Sequence, residues 1–303
     1  MNLNNIQKKT KKNKRKSNKK KFSVMTKKSF GKRRMEPVYK GLGYDMLMAY
    51  IYLIKNYKKN LCIAIGDKDI IKKSFSPTYI GLVFERKQTK NELMYPGGLD
   101  KLVKFIKNCK KKYFSIPLSI EYPDSGPHFN MIVGNTGKNV IERFEPYGAF
   151  IDIKVHAKFD KDFKKFLKLN NLDYQYKNPD DFCPNIGNQE KEETQIQKKM
   201  ASVRRNDFGG YCGMWGVWFM EMKVKNPYLS SKILLKKSKN RLGSRNYRKF
   251  IRNYTNHIIE MRKEIMTLGG VECKNYMTGK SPDYQEFKRC AQIFMDKKLD
   301  DFF

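Results

Sequence analysis

Of the three histidines in this sequence, His128, His156 and His257, only His128 stands where its ring would have a fixed direction. It follows the turn-like Asp124-Ser125-Gly126-Pro127 and opens the apolar run His128–Val133. Glu145 comes 17 residues later, at the end of the run Val140–Phe144, inside Arg143-Phe144-Glu145-Pro146-Tyr147-Gly148. Between the runs, Asn135–Asn139 (NTGKN) reads as a hairpin turn. If the two strands pair through it, the start of one lies beside the end of the other. Glu145 can then reach a ring nitrogen of His128, fix its tautomer and stabilise the imidazolium. A turn histidine and an ordinary strand-end charge would look the same from these two residues alone. His156 in a Lys-rich segment and His257 in a basic helical stretch read as surface residues.

Cys212 changes the balance. It follows Gly209-Gly210-Tyr211 and begins CGMWGVWFMEMKVK, which is apolar all round until Asn226-Pro227 ends it. A helix apolar on every side belongs in the middle of a protein. At its first turn, backbone amides and the helix dipole favour an anion, and a neighbouring histidine would favour it further. Gly209, Gly210 and Gly213 leave room for a substrate backbone to approach. The Cys212 amide is placed to donate to an oxyanion. Trp215 and Trp218, three apart on this helix, read as core bulk rather than a substrate platform.

These side chains need elements to hold them. An amphipathic helix is expected over Tyr44–Tyr57, and short buried strands at Leu61–Gly66 and Tyr79–Phe84. Residues 98–109 place Leu99, Leu102, Val103 and Ile106 on one helical face. Strand-like runs follow at Tyr113–Ile120, Phe129–Val133 and Val140–Phe144, then a helix over Asp160–Lys168 and a loop over Asn178–Glu193. The chain beyond Pro227 has a helical pattern, and no internal repeat is visible.

The chain's 303 residues, 40% of them hydrophobic, are enough for a sizeable core and exclude wholesale disorder. The net charge of +34 points to polyanionic partners. Residues 1–34 carry 15 Lys/Arg and no acid, which predicts a mobile tail for nuclear targeting, nucleic acid or an acidic surface. Eight more cations without an acid lie between Lys236 and Arg252, where Lys236, Lys237, Arg241 and Arg245 are the candidate nucleic-acid contacts. No base-reading motif accompanies them, so such binding would be non-specific. The longest apolar run, Met46–Ile54, is too short for a membrane span, and no apolar stretch follows the basic N-terminus as a signal peptide requires. Six scattered cysteines without a C-x-x-C pair predict mostly free thiols in a reducing, intracellular setting. Cys62 and Cys183 then read as core or loop thiols. Three dispersed histidines leave no obvious metal site.

The stretches HFNMIV, IERFEPYG and GGYCGMWGVWF, in that order, resemble the ubiquitin-like-protein protease superfamily of cysteine peptidases. That group includes the SUMO-type proteases, the adenovirus protease and relatives in large DNA viruses, to which ERFEPYG and GYCGMW are most similar. The resemblance covers roughly Tyr113 to Pro227. It implies an α+β, papain-like core with a central mixed sheet and the nucleophile at the start of a buried helix. Domain limits would be a basic tail at 1–36, a protease core at 37–229 and a basic helical extension packed on it at 230–303.

By the same resemblance, Cys212 would be the nucleophile, His128 the general base and Glu145 the orienting acid, with no cofactor. The family's oxyanion-hole glutamine usually stands a few residues before the cysteine. Here Arg204–Phe208 has none, and Gln189 is chosen over Gln195 and Gln197 because Pro184–Asn188 resembles the family's loop. Phe129 replaces the common tryptophan after the histidine, and Phe129, Gly210 and Tyr211 would border the substrate. The implied substrates end in Gly-Gly-like sequences, in ubiquitin-like conjugates or viral polyproteins, and the implied setting is a virion, a viral factory or the nucleus. The alternative is a protease fold that has lost activity and serves as a basic nucleic-acid-binding or virion component.

Overall fold

Alternating side chains along the central strands divide the molecule into two cores. In β5 (Gly126–Asn135), Met131 and Val133 point to one face and Ile132 to the other. Tyr113 and Phe114 in β4 (Tyr113–Tyr122), and Phe144 and Ile141 in β6 (Val140–Phe144), divide the same way. One face is covered by α1 (Gly43–Tyr57), α5 (Cys212–Lys225), α6 (Ser231–Leu242) and α7 (Tyr247–Ile259). The other is covered by α2 (Leu99–Asn108) and α3 (Ile153–Leu169). The remaining elements are β1 (Leu61–Ile63), β2 (Leu82–Lys87), β3 (Lys90–Met94), β7 (Gln175–Lys177) and α4 (Asn188–Gln197). The structure, a computed structural model, describes residues 43–65, 81–87, 90–122, 126–149, 153–197, 211–242 and 247–259. The basic tail, Gly210, Arg245, Cys273 and Cys290 lie outside the described residues.

The seven-stranded sheet runs β3-β2-β4-β5-β6-β7, with β1 beside β4, and is mixed. β4 pairs antiparallel with β5 along its whole length, from Tyr113↔Asn135 to Tyr122↔Gly126. Its other edge holds two parallel strands in tandem, β1 against Tyr113–Ser115 and β2 against Leu118–Ile120. β5 and β6 are antiparallel neighbours, as the sequence suggests. Their connection is a turn of 3-10 helix, Thr136–Lys138, closed by Asn139 at φ 49°, a left-handed conformation that asparagine tolerates.

Other expectations need correction. Helix α1 is not amphipathic: Met46–Ile54 are all buried, because α5 and α7 pack against it as well as β1. The second helix begins at Ile153 rather than Asp160. The expected loop over Asn178–Glu193 contains a 3-10 turn, Pro179–Asp181, and the start of α4. Cys62 and Cys109 are joined in a disulfide, contrary to the expectation of free thiols there. Their separation of 47 residues conceals the pair. Because α2 ends at Cys109 and feeds straight into β4, whose Phe114 lies opposite Cys62, the two thiols meet. Cys183 and Cys212 are buried thiols.

Helix α5 is the central post. Trp215 and Trp218 are wholly buried, as is Glu221, whose carboxylate accepts from the hydroxyls of Tyr52 (3.0 Å), Tyr57 (2.5 Å) and Tyr254 (2.8 Å) and pairs with Lys225 (2.8 Å). Four partners compensate the buried charge and tie α1, α5 and α7 together. Lys223, also on α5, donates to Glu142 of β6 (2.9 Å) and Ser231 of α6 (2.8 Å). No helix among the described residues is long and apolar enough to cross a membrane.

Candidate active site

β6 pairs with β5 only from Asn135↔Val140 to Met131↔Phe144. The first half of β5 therefore borders a slot where its neighbour has already turned away, and His128 stands there. The turn Glu145-Pro146-Tyr147-Gly148 is fixed by backbone bonds to the loop before α4. Gly187 N–H donates to the Tyr147 carbonyl (2.6 Å), Gln189 N–H to Pro146 (3.0 Å) and Ala149 N–H to Pro184 (3.1 Å). Two glycines permit this contact. Gly148 has φ 109°, and a Cβ there would stand 2.5 Å from the Pro184 and Asn185 carbonyl oxygens; one at Gly187 would stand 2.2 Å from that of Pro146.

His128 Nε2 donates to Glu145 Oε1 at 2.6 Å, and the Tyr147 N–H donates to the same oxygen at 2.9 Å. The His128 ring also hydrogen-bonds the Cys212 side chain. All three residues are buried, with exposures of 7%, 1% and 5% for His128, Glu145 and Cys212. Burial by itself would push the histidine's pKa down; the Glu145 charge and the bonds to Cys212 and Glu145 override it, and the value is pushed up to about 10. Glu145 responds in the reciprocal direction. Burial would raise its pKa, but His128, with smaller help from His156 and Arg143, holds it below the ordinary carboxylate value. At neutral pH the pair is therefore imidazolium and carboxylate.

Cys212 is the first residue of α5 and follows directly on Tyr211. A Cβ on the next residue, Gly213, would come within 2.3 Å of the Met46 sulfur, so glycine there lets α1 close over the start of α5. Tyr50 of α1 is also near: its hydroxyl pKa is raised by burial and, secondarily, by Cys212.

A second histidine belongs to this site. His156, read from sequence as a surface residue, is 6% exposed, and its ring centroid lies 6.3 Å from that of His128. Its Nδ1 is 3.0 Å from Arg143 Nη1 and 3.5 Å from Glu145 Oε2, while its Nε2 bonds the Tyr122 hydroxyl. Burial, then the Arg143 charge, lower its pKa to about 4, so the ring is neutral at physiological pH. Arg143 makes a bidentate pair with Asp160, Nε to Oδ1 and Nη2 to Oδ2, both at 2.8 Å. Helical spacing could have exposed His156, because the buried stripe Phe159, Phe163, Phe166 extended back by one turn reaches it.

Gln189 is placed in the first turn of α4, buried, with its side-chain amide donating to the Tyr147 hydroxyl at 3.1 Å. The Tyr147 ring lies 5.1 Å from that of His128. Phe129 is half-buried and, by alternation, shares the face of Met131 and α5 rather than that of His128. Tyr211 is 3% exposed, its ring within the core, so what it can offer a substrate is backbone. Cys183 is buried and accepts no disulfide partner; burial pushes its thiol pKa up. Lys236, Lys237 and Arg241 are exposed on α6. Among the described residues no group of three or more His, Cys, Asp or Glu is arranged to hold a metal ion.

No family model matches the chain. It is 27% identical over 245 residues to a protein named as an ankyrin repeat protein of Acanthamoeba polyphaga mimivirus. The match takes in 72% of this chain but only 31% of that protein, so the chain spans about a third of the relative's length. Among solved structures it is similar to ChlaDub1 from Chlamydia trachomatis, with 12% identity, a TM-score of 0.35, and coverage of 83% of this chain and 98% of the other. At that TM-score the chemistry rests on the side chains and their geometry, which bring His128, Glu145 and Cys212 to one buried point.

Proposed function

We propose that this protein is a cysteine peptidase or isopeptidase that cleaves after Gly-Gly-like sequences in a protein substrate. The observation that carries this reading is a single ring, His128, bonded both to a buried carboxylate and to a thiol at the start of a buried helix. In the proposed reaction Cys212 Sγ, as thiolate, attacks the substrate carbonyl carbon. The C–N bond breaks and the leaving amine takes its proton from the His128 imidazolium. Water then attacks the thioester, with His128 accepting its proton, and the acid and the free thiolate are released. The Cys212 amide and the Gln189 side chain are the candidate oxyanion donors. The test is labelling with an electrophile carried on a Gly-Gly peptide or a ubiquitin-like protein. An adduct confined to Cys212, lost in Cys212→Ala and slowed roughly 10²-fold or more in His128→Ala, is the expected outcome. Equal labelling of several cysteines, unchanged in His128→Ala, would overturn it.

A second activity is favoured by crowding of like charges at the basic face. Lys191 of α4 has its pKa lowered to about 8, by burial and then by contact with Lys239 of α6. An anion lying across these ammonium groups would relieve that repulsion. Exposed Lys236, Lys237 and Arg241 continue the same helix, and we propose that they contact a nucleic-acid backbone without sequence preference. Retention on a DNA duplex should fall steeply as salt rises and weaken in the triple alanine variant. Retention indifferent to both would refute it.

A further inference from the structure

We propose that His156 is a positioning residue. By accepting a hydrogen bond from Arg143 it keeps that guanidinium off Glu145, whose carboxylate then stays committed to His128. This rests on the peptidase reading above.

A guanidinium has five N–H groups. The one on Nε and one of the two on Nη2 serve Asp160, each at 2.8 Å. Nη1 has two hydrogens: one goes to Asn130 Oδ1 (2.8 Å) and the other to His156 Nδ1 (3.0 Å). Nη1 also lies 3.8 Å from Glu145 Oε2, just beyond bonding distance. That oxygen is buried and, among the described residues, accepts no hydrogen bond, whereas Oε1 holds both His128 and the Tyr147 N–H. If the Nδ1 acceptor is removed, the released N–H has the buried Oε2 within reach, 3.8 Å from Nη1. A charge-assisted bond there would draw the carboxylate toward Arg143 and away from His128.

Only one form of the ring can do this. Nδ1 must be unprotonated to accept, and the Tyr122 hydroxyl on Nε2 allows the proton to sit there. The groups facing His156 are Arg143 and Glu145 from the β6 end, Tyr122 from β4, His128 from β5 and Asp160 from its own helix. Those facing His128 are Glu145, Cys212, Tyr122, Tyr147 and His156.

The experiment compares His156→Asn with His156→Gln. Asparagine can place its oxygen where Nδ1 was, while glutamine reaches the place of Nε2. The first readout is the ring titration of His128 by nitrogen-15 NMR, assigned with His128→Gln; the second is the rate at which a Gly-Gly electrophile labels Cys212. In His156→Gln the His128 midpoint should fall by roughly 1 pH unit or more, with labelling about tenfold slower. In His156→Asn both should stay close to wild type. A folded His156→Gln with an unmoved midpoint, or an equal fall in both variants, overturns the inference. If His156→Gln does not fold, His156→Leu supplies the same loss of acceptor. The titration needs no turnover. It decides the role of His156 even where the wild type fails to label, an outcome that would sink the peptidase reading instead.

Discussion

Arg143→Met should be among the most destabilising single substitutions in this protein, costing roughly 3–5 kcal/mol. The side chain is almost wholly buried, methionine is of similar volume though shorter, and most of the cost comes from the partners it abandons. Asp160 loses both charge-assisted donors and, among the described residues, keeps the Tyr176 hydroxyl, at 2.5 Å. Asn130 and His156 lose a donor each, and the guanidinium's contact with the Phe159 ring, 5.5 Å from its centroid, goes as well. A loss of that size is a large part of the roughly 5–15 kcal/mol that holds a typical domain together. Urea titration checks it. Adding Asp160→Asn to Arg143→Met should recover part of the loss, because the second change removes the orphaned charge. Failure of the double variant to recover would mean that packing against Phe159, not charge pairing, is what Arg143 contributes. At the site, removing the Arg143 charge takes away one influence that keeps Glu145 ionised and one that keeps His156 neutral.

The parts of the site that were legible in the sequence are those governed by local rules. His128 and Glu145 meet because two short apolar runs around NTGKN become antiparallel neighbours, and a carboxylate just past the end of one strand falls beside the start of the other. Cys212 could be placed at a helix start because its helix is apolar on all sides and follows a glycine pair. What stayed hidden depends on contacts between distant segments. Glu221 looks like an ordinary helix charge until three tyrosines from α1 and α7 surround it. Cys62 and Cys109 look unrelated until β1 lies parallel to β4. His156 sits among lysines that face solvent, and that neighbourhood concealed a ring on the opposite, buried side of the same helix. Helix α1 shows the same effect: its pattern reads amphipathic because a sequence cannot show that α5 and α7 will cover the face left over by the sheet.

The largest pH effect should follow Glu145→Gln. In the wild type, activity on the alkaline side should fall through about 10, where His128 gives up the proton that it hands to the leaving amine in the proposed reaction. Of the influences on this ring, burial pushes the pKa down and the Glu145 charge is foremost among those that push it up. An amide keeps the shape and an acceptor oxygen but removes the charge. The alkaline limb should then move to lower pH by roughly 2–3 pH units, and activity at neutral pH should fall roughly 10²-fold. Stability carries the same signature. Because the folded pKa of His128 lies above its ordinary 6.5, its contribution is fully present below 6.5 and is lost as pH rises through about 10. Because the folded pKa of Glu145 lies below its ordinary 4.5, its contribution is present above 4.5 and is lost as pH falls through that lower value. Glu145→Gln should therefore be least stable relative to wild type across the window between those limits, and the two proteins should converge toward either end. Denaturation midpoints measured across pH would show the gap. His156 adds a slope of its own in acid, where the unfolded ring takes up a proton below 6.5 that the folded ring resists down to about 4. Because the Glu145 charge is among the influences that raise the His156 pKa, that slope should extend to lower pH in Glu145→Gln. An alkaline limb that stays near 10 in the variant would show that Glu145 does not hold the proton on His128, and the acid of the proposed triad would have to be sought elsewhere.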